Sequence, residues 1–356
     1  MKACALSFLM LFPVGASAAP TIYGFTFPSW WKDAYDQPAA QTSLSNMART
    51  GAKWTALIPT WYMKTKESTT FEVTDQSASD DSVRRTIRAA KALGLGVVLK
   101  PHVNCADGTP TALIRPKNER EWFDSYRAFL LHYARMAQEE HVELFVVGTE
   151  LFSMAGPGRG REWEAMIRDV RAVYSGKLTY AANWYDFMLV PFWGSLDYIG
   201  IDGYFPLVGG HNPKILALSW KAYLPVIRAV VRAHGKPLLF TEVGISSQKG
   251  ANRKPWSYRD FGPVDPETQK AYFEAFLNVF SREPSFAGFL QWCWDLNPDA
   301  GGPKDKSMTV QGKPALDVLE KYFAGLQPPT LDPRPAETAR AAKRSLAVLG
   351  EGIPAN

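Results

Sequence analysis

Short apolar runs along this chain alternate with longer stretches of helical periodicity. Eight of the runs read as strands: Thr21–Phe27, Ala52–Pro59, Gly96–Val103, Leu144–Val147, Leu178–Trp184, Leu196–Tyr204, Pro237–Glu242 and Phe286–Trp294. Leu144–Val147 is continuously apolar, as expected of a strand covered on both faces in a parallel sheet. Between the runs the period lengthens to that of a helix. Asp80 or Asp81 can cap a helix that carries Val83, Ile87 and Ala90 on one face and stops at Gly94. Asn118 with Glu121 forms a capping-box pattern ahead of Trp122, Tyr126, Phe129 and Tyr133. Ser219 precedes Trp220, Leu224, Ile227 and Val231, and Asp265 before Pro266 leads into Tyr272, Phe276 and Phe280. These aromatic stripes read as core packing.

Repeated strand–helix alternation predicts parallel strands joined by right-handed crossovers. Eight such units between residues 19 and 325 match the α/β class as a single (β/α)8 TIM barrel. A doubly wound sheet would carry a glycine-rich phosphate turn after its first strand, and Tyr23-Gly24-Phe25 is not one. The ends read differently. Met1–Ala18 has the plan of a secretory signal, with Lys2, the apolar Ala3–Val14 and a small-residue cleavage site at Ala16-Ser17-Ala18. Residues 326–356 form a short tail, with a proline-rich linker over Gln327–Pro335 and an Ala-rich stretch, Glu337–Leu349, able to form a helix. The expectation is a secreted or periplasmic monomer with no membrane span in its mature part.

Charge and composition narrow the chemistry. The net charge of +5 falls by one with the loss of Lys2, and no dense Lys/Arg tract is present, which argues against nucleic acid as a partner. Beyond the signal only Cys105 and Cys293 remain, too few for a disulfide framework. Five histidines, no HExxH and no paired-cysteine spacing give no metal site, and no cofactor is implied. A serine hydrolase would want a G-x-S-x-G elbow, which is missing.

What remains is a pair of carboxylates. Glu150 follows the fourth strand and Glu242 ends the seventh, the C-terminal strand ends where barrel enzymes work. Glu150 by itself is equally readable as a helix N-terminal carboxylate. Two carboxyl groups at matching positions suit glycoside hydrolysis, where one protonates the leaving oxygen and the other attacks or assists at the anomeric carbon. Alternation places Glu242 on the side of Phe240 and Leu238, and puts Tyr204 with Asp202 and Tyr198. Tyr204 is suited to hydrogen-bond a nucleophilic carboxylate and keep it ionised. Trp292 and Trp294 share one face of the eighth strand; Asn183 and Trp184 end the fifth, Trp61 follows the second, and Trp30 and Trp31 follow the first. Their flat indoles suit the C–H faces of a pyranose. His102 and Asn104, on one face with Lys100, read as hydrogen-bond donors in the cleft.

The segments IPTWYM (58–63), LKPHVN (99–104), VGTELFS (147–153), LTYAANW (178–184), LDYIGIDGYFPL (196–207), FTEVG (240–244), QWCWD (291–295) and VQGKPA (310–315) together resemble glycoside hydrolase family 113. The resemblance spans nearly the whole barrel. It implies a retaining (β/α)8 glycosidase acting on β-1,4-linked mannan or manno-oligosaccharides, with Glu150 as acid/base and Glu242 as nucleophile. In much of the wider clan an Asn precedes the acid/base; here that residue is Thr149, so Asn104 and Asn183 are the candidates for the sugar 2-hydroxyl. The alternatives are a glycosidase on another β-linked polysaccharide, such as an exopolysaccharide, and a catalytically inactive carbohydrate-binding barrel.

Overall fold

Prolines decide where two strands of this protein stop. A computed structural model describes residues 22–259 and 262–325. The signal-like segment, Thr21, the linker and the Ala-rich tail therefore lie outside the described residues. The described residues form ten strands: β1 (Ile22–Pro28), β2 (Trp54–Ile58), β3 (Thr60–Met63), β4 (Gly96–Leu99), β5 (His102–Cys105), β6 (Leu144–Thr149), β7 (Lys177–Asn183), β8 (Ile199–Asp202), β9 (Leu238–Val243) and β10 (Phe286–Gln291). Eight of them pair in parallel and close a barrel in the order β1-β2-β4-β6-β7-β8-β9-β10, with β10 returning to β1. The fold is the (β/α)8 barrel expected from the alternation.

The run Gly96–Val103, read as one strand, is two. Pro101 has no N–H to give to a ladder, so β4 ends and β5 begins beyond it. Pro59 divides β2 from β3 in the same way. Beyond the two prolines β3 and β5 pair with each other in a sheet of their own, and Tyr62 of β3 also bridges Glu72. Pairing continues through the break, with Lys100 N–H to the Leu57 carbonyl and His102 N–H to the Pro59 carbonyl, both at 2.9 Å.

Helix ends also refine the sequence reading. Ser79, rather than Asp80 or Asp81, caps the helix Asp80–Ala92 by accepting from Ser82 N–H, and the two aspartates sit in its first turn, where the dipole favours them. Asn118 accepts from Arg120 and Glu121 N–H as expected, and Asp265 from Thr268 N–H. Ser219 is no cap: Asn212-Pro213 starts the helix Pro213–His234, and the Ser219 hydroxyl bonds the Val208 carbonyl from within it.

Two cores result. The larger lies between sheet and helices and includes Trp122, Tyr126, Phe129, Tyr133, Trp220, Tyr272, Phe276 and Phe280, the packing predicted for the aromatic stripes. The smaller fills the barrel with Ile22, Ala56, Val98, Leu144, Val146, Ala181, Leu239 and Leu290. No helix among the described residues is long and apolar enough to cross a membrane, and Cys105 and Cys293 are both free.

Candidate active site

Above the apolar filling, the C-terminal strand ends surround a cavity of about 510 Å³. Glu150 and Glu242 both line it. They arrive there by irregularities in two strands. In β9, Ile201 pairs with Phe240 but Asp202 pairs with Glu242, so one extra residue, Thr241, is accommodated. The bulge corrects the simple alternation. Phe240 and Leu238 belong to the outer core, where Phe240 meets Trp220, Phe276 and Phe280, while Glu242 turns into the cavity. In β6 the register slips between Val146 and Thr149, and Glu150 follows with φ +53°, a left-handed conformation rare for a residue with a side chain. Holding it there costs on the order of 1–3 kcal/mol, repaid by the surrounding structure. Its N–H donates to the Ala181 carbonyl at 2.8 Å. The short helix Phe152–Ala155 that follows has no side-chain cap, so the capping reading of Glu150 has no support.

Gly148 makes this turn possible. A Cβ there would lie 2.8 Å from the Trp163 ring and 2.9 Å from the Tyr126 hydroxyl. Only a residue without a side chain lets those rings close beneath the strand end.

The two carboxyl groups have opposite surroundings. Glu242 accepts from the Tyr204 hydroxyl at 2.6 Å and from the Lys100 ammonium. Lys100 is fully buried and also reaches Asp202 at 3.3 Å, while Thr241 donates to Asp202 at 2.6 Å. Burial opposes the charge on Lys100, but the carboxylates of Asp202 and Glu242 outweigh it and hold the ammonium protonated. Asp202 is pushed up to about 7 by burial and by the charge of Glu242, against the pull of Lys100 and Thr241. Lys100 and Tyr204 donate to Glu242 and not to Glu150. Burial, with the charges of Asp202 and Glu242, raises Glu150 well above the usual carboxylate range. One cavity therefore holds one carboxyl group gripped by two donors and one whose proton is favoured by burial and by neighbouring charges.

The walls are aromatic and amide. His102 lies parallel to Trp292, with ring centroids 6.3 Å apart. Burial and the Lys100 cation push its imidazole well below its ordinary value, and its Nε2 has no hydrogen-bond partner among the described residues. Asn104 lines the cavity beside Tyr62, and Asn183 donates to Asp186. Trp184 stacks on Trp256 at 5.8 Å, and Trp30 packs on Trp292.

Three residues read as cleft-facing lie elsewhere. Trp61 points into the helical layer, donating to the Tyr133 hydroxyl and packing on Phe129. Trp294 does not share the face of Trp292: β10 ends at Gln291, and the Trp294 indole turns outward to Ser43 and Phe25. Asp202 sits beneath the cavity as the partner of Lys100, outside its lining. Sequence reasoning missed Tyr185, Trp256 and Tyr258, which line the cavity from loops without periodicity. It also noted Lys100 only as a neighbour of His102. A lysine inside the apolar run GVVLKPHV was the available signal, because a buried ammonium must be paired. Among the described residues no three His, Cys, Asp or Glu side chains converge as a metal site would require.

A closed parallel barrel with a glutamate pair at its C-terminal rim and aromatic walls around it defines a glycoside hydrolase. The chain belongs to Glycoside Hydrolase Family 113, whose profile matches residues 23–313. It is 31% identical to the GH113 β-mannanase AaManA from Alicyclobacillus acidocaldarius, solved in complex with ManMIm, with a TM-score of 0.79 over 88% of this chain and 100% of that one. A GH113 β-1,4-mannanase solved as a complex is also 31% identical, with a TM-score of 0.78 over 85% of this chain and 98% of that one. A GH5_18 protein from Bifidobacterium longum subsp. longum ATCC 55813, in complex with Manb1-4GlcNAc, shares the fold at 16% identity and a TM-score of 0.58, over 87% of this chain and 79% of that one. No curated protein sequence matches the chain.

Proposed function

We propose that this protein hydrolyses β-1,4-linked mannan or manno-oligosaccharides by double displacement, with Glu242 as nucleophile and Glu150 as acid/base. The observation that carries the reading is the contrast just described: Glu242 is held by Lys100 and Tyr204, while burial and neighbouring charges favour the proton on Glu150 across the same cavity. Mannan as substrate rests on the two β-mannanases of 31% identity. The signal-like segment supports a secreted or periplasmic location.

In the first step the Glu242 carboxylate attacks the anomeric carbon, and Glu150 gives its proton to the departing glycosidic oxygen. The product is a glycosyl ester of Glu242. Esterification removes the Glu242 charge, which is one of the causes holding the Glu150 proton. Glu150 is thereby left more acidic and better suited to its second task. As a carboxylate it takes a proton from water; the water oxygen attacks the anomeric carbon and frees Glu242. His102 and Asn104, with the Trp292 face, are proposed to hold the sugar during both steps.

The test is hydrolysis of β-1,4-manno-oligosaccharides with the product anomer followed by NMR. Early β-product is expected, and early α-product would overturn double displacement. Glu150→Ala is expected to depress turnover of manno-oligosaccharides far more than that of aryl mannosides, whose leaving groups need little protonation; equal losses would remove Glu150 from the acid role.

A further inference from the structure

Asp186 lies three residues beyond β7, behind the cavity wall and outside its lining. Only 3% of it is exposed. It precedes the short turn Phe187–Leu189, where an aspartate ordinarily accepts from the backbone N–H groups that follow, yet its side chain makes no such bond. Instead its Oδ2 accepts from Asn183 Nδ2 at 3.2 Å. Its Oδ1 has no partner among the described residues. The gap beside it, walled by Phe152, Ala155, Tyr180 and Leu189, is too small to admit a water molecule. An ionised carboxylate in such a place is expensive, and a neutral carboxyl far less so. Burial accordingly pushes Asp186 up to about 7, against the hydrogen bonds it receives from Asn183.

We propose that Asp186, without touching substrate, is a positioning residue of the cavity: it fixes the Asn183 amide with its carbonyl oxygen toward the sugar, and its own ionisation opposes that of Glu150. The proposal rests on Glu150 as the proton donor. The direction of an amide is set by its hydrogen bonds, and a carboxyl oxygen takes the NH₂ end of Asn183, leaving Oδ1 as an acceptor for a sugar hydroxyl. The second part follows from placement and charge: Glu150 N–H bonds the Ala181 carbonyl of β7 at 2.8 Å, and Leu151 N–H bonds at 2.9 Å the hydroxyl of Tyr180, the ring that walls the gap beside Asp186. Glu150 is faced by Asp202 at the end of β8, Glu242 on β9, the Lys100 cation beyond β4, Asp186, and the phenols of Tyr180, Tyr185 and Tyr258. Asp186 itself is faced by Asp202, Tyr180 and Tyr185. When Asp186 ionises near neutral pH, its negative charge favours the protonated form of Glu150 and extends the pH range over which the donor keeps its proton.

Two substitutions separate the two effects. Asp186→Asn removes the charge but keeps an oxygen to accept from Asn183; Asp186→Leu removes both. The measurement is kcat/KM for a β-1,4-manno-oligosaccharide against pH, with KM at the optimum. The basic limb is expected to move to lower pH in both variants, by about half a pH unit. KM is expected to stay near wild type in Asp186→Asn and to rise several-fold in Asp186→Leu. A basic limb unchanged in Asp186→Asn overturns the coupling to Glu150, and an unchanged KM in Asp186→Leu overturns the clamp on Asn183. Should Asp186→Leu fail to fold, Asp186→Ser, too short to reach Asn183, reads the same KM. Glu150→Gln serves as the control. If it retains wild-type turnover and the basic limb, the donor reading fails; if it loses them while the Asp186 variants match wild type, only the present inference fails.

Discussion

The two halves of the barrel interior are built from the same strands and have opposite characters. The lower half holds Ile22, Ala56, Val98, Leu144, Val146, Ala181, Leu239 and Leu290 as one apolar cluster. Two residues past Val98, just beyond β4, the interior holds Lys100, and two or three past Leu239 along β9 it holds Thr241 and Glu242. In the lower half each side chain is satisfied by contact alone, and a neighbour of similar volume serves as well. In the upper half each charge is tolerable only while its partner is present. Stability and chemistry are thus stacked within one closed sheet, and the upper half depends on the rigidity of the lower.

That contrast can be broken by substitution, starting from the top. Glu242→Ala is expected to lower kcat on manno-oligosaccharides by four or more orders of magnitude, because it removes a nucleophile, and to lower the melting temperature as well, because Lys100 keeps only Asp202 as a partner; steady-state kinetics beside a thermal melt checks this. Lys100→Met leaves Asp202 and Glu242 buried without their cation. It is expected to destabilise the fold by roughly 3–5 kcal/mol in denaturant unfolding, and to depress activity as well. Leu239→Ala acts on the lower half. A loss of roughly 2–5 kcal/mol is expected from the cavity it leaves, with kcat of the folded protein near wild type. A large fall in kcat there would show that the two halves are not separable. Tyr204→Phe removes one donor from Glu242 and is expected to cost about 1.5–3 kcal/mol of transition-state stabilisation, seen as a fall in kcat/KM of one to two orders of magnitude.

The lower half was the legible one. Apolar runs, caps at Asn118 and Asp265, and the eightfold alternation follow from local periodicity, and the barrel follows from them. The glutamate pair was legible because a carboxylate ending an apolar strand is unusual wherever it occurs. Misreadings cluster where the strand period breaks. The extra residue at Thr241 put Phe240 and Leu238 on the wrong side of β9, and the end of β10 at Gln291 separated Trp292 from Trp294. Trp61 stands near a strand end, which suggests the cleft, but an indole N–H with a buried Tyr133 hydroxyl in reach has reason to turn inward. Trp256 and Tyr258 come from a long loop, where no periodicity links sequence to direction.

The breaks at Pro59 and Pro101 bear on how this scaffold changes over time. Upstream of them the barrel closes; downstream β3 and β5 form a ribbon that leaves the barrel ladder, with His102 and Asn104 presented to the cavity. Lys100 stands immediately before one break, so its ion pairs belong to the barrel and not to the ribbon. Insertions or exchanges in the ribbon and in the Ala106–Asn118 segment beyond it can therefore reshape one wall of the sugar site without disturbing the charge arrangement below. Such a joint separates what the enzyme admits from what it does to it, and it gives lineages a place to vary the first while keeping the second.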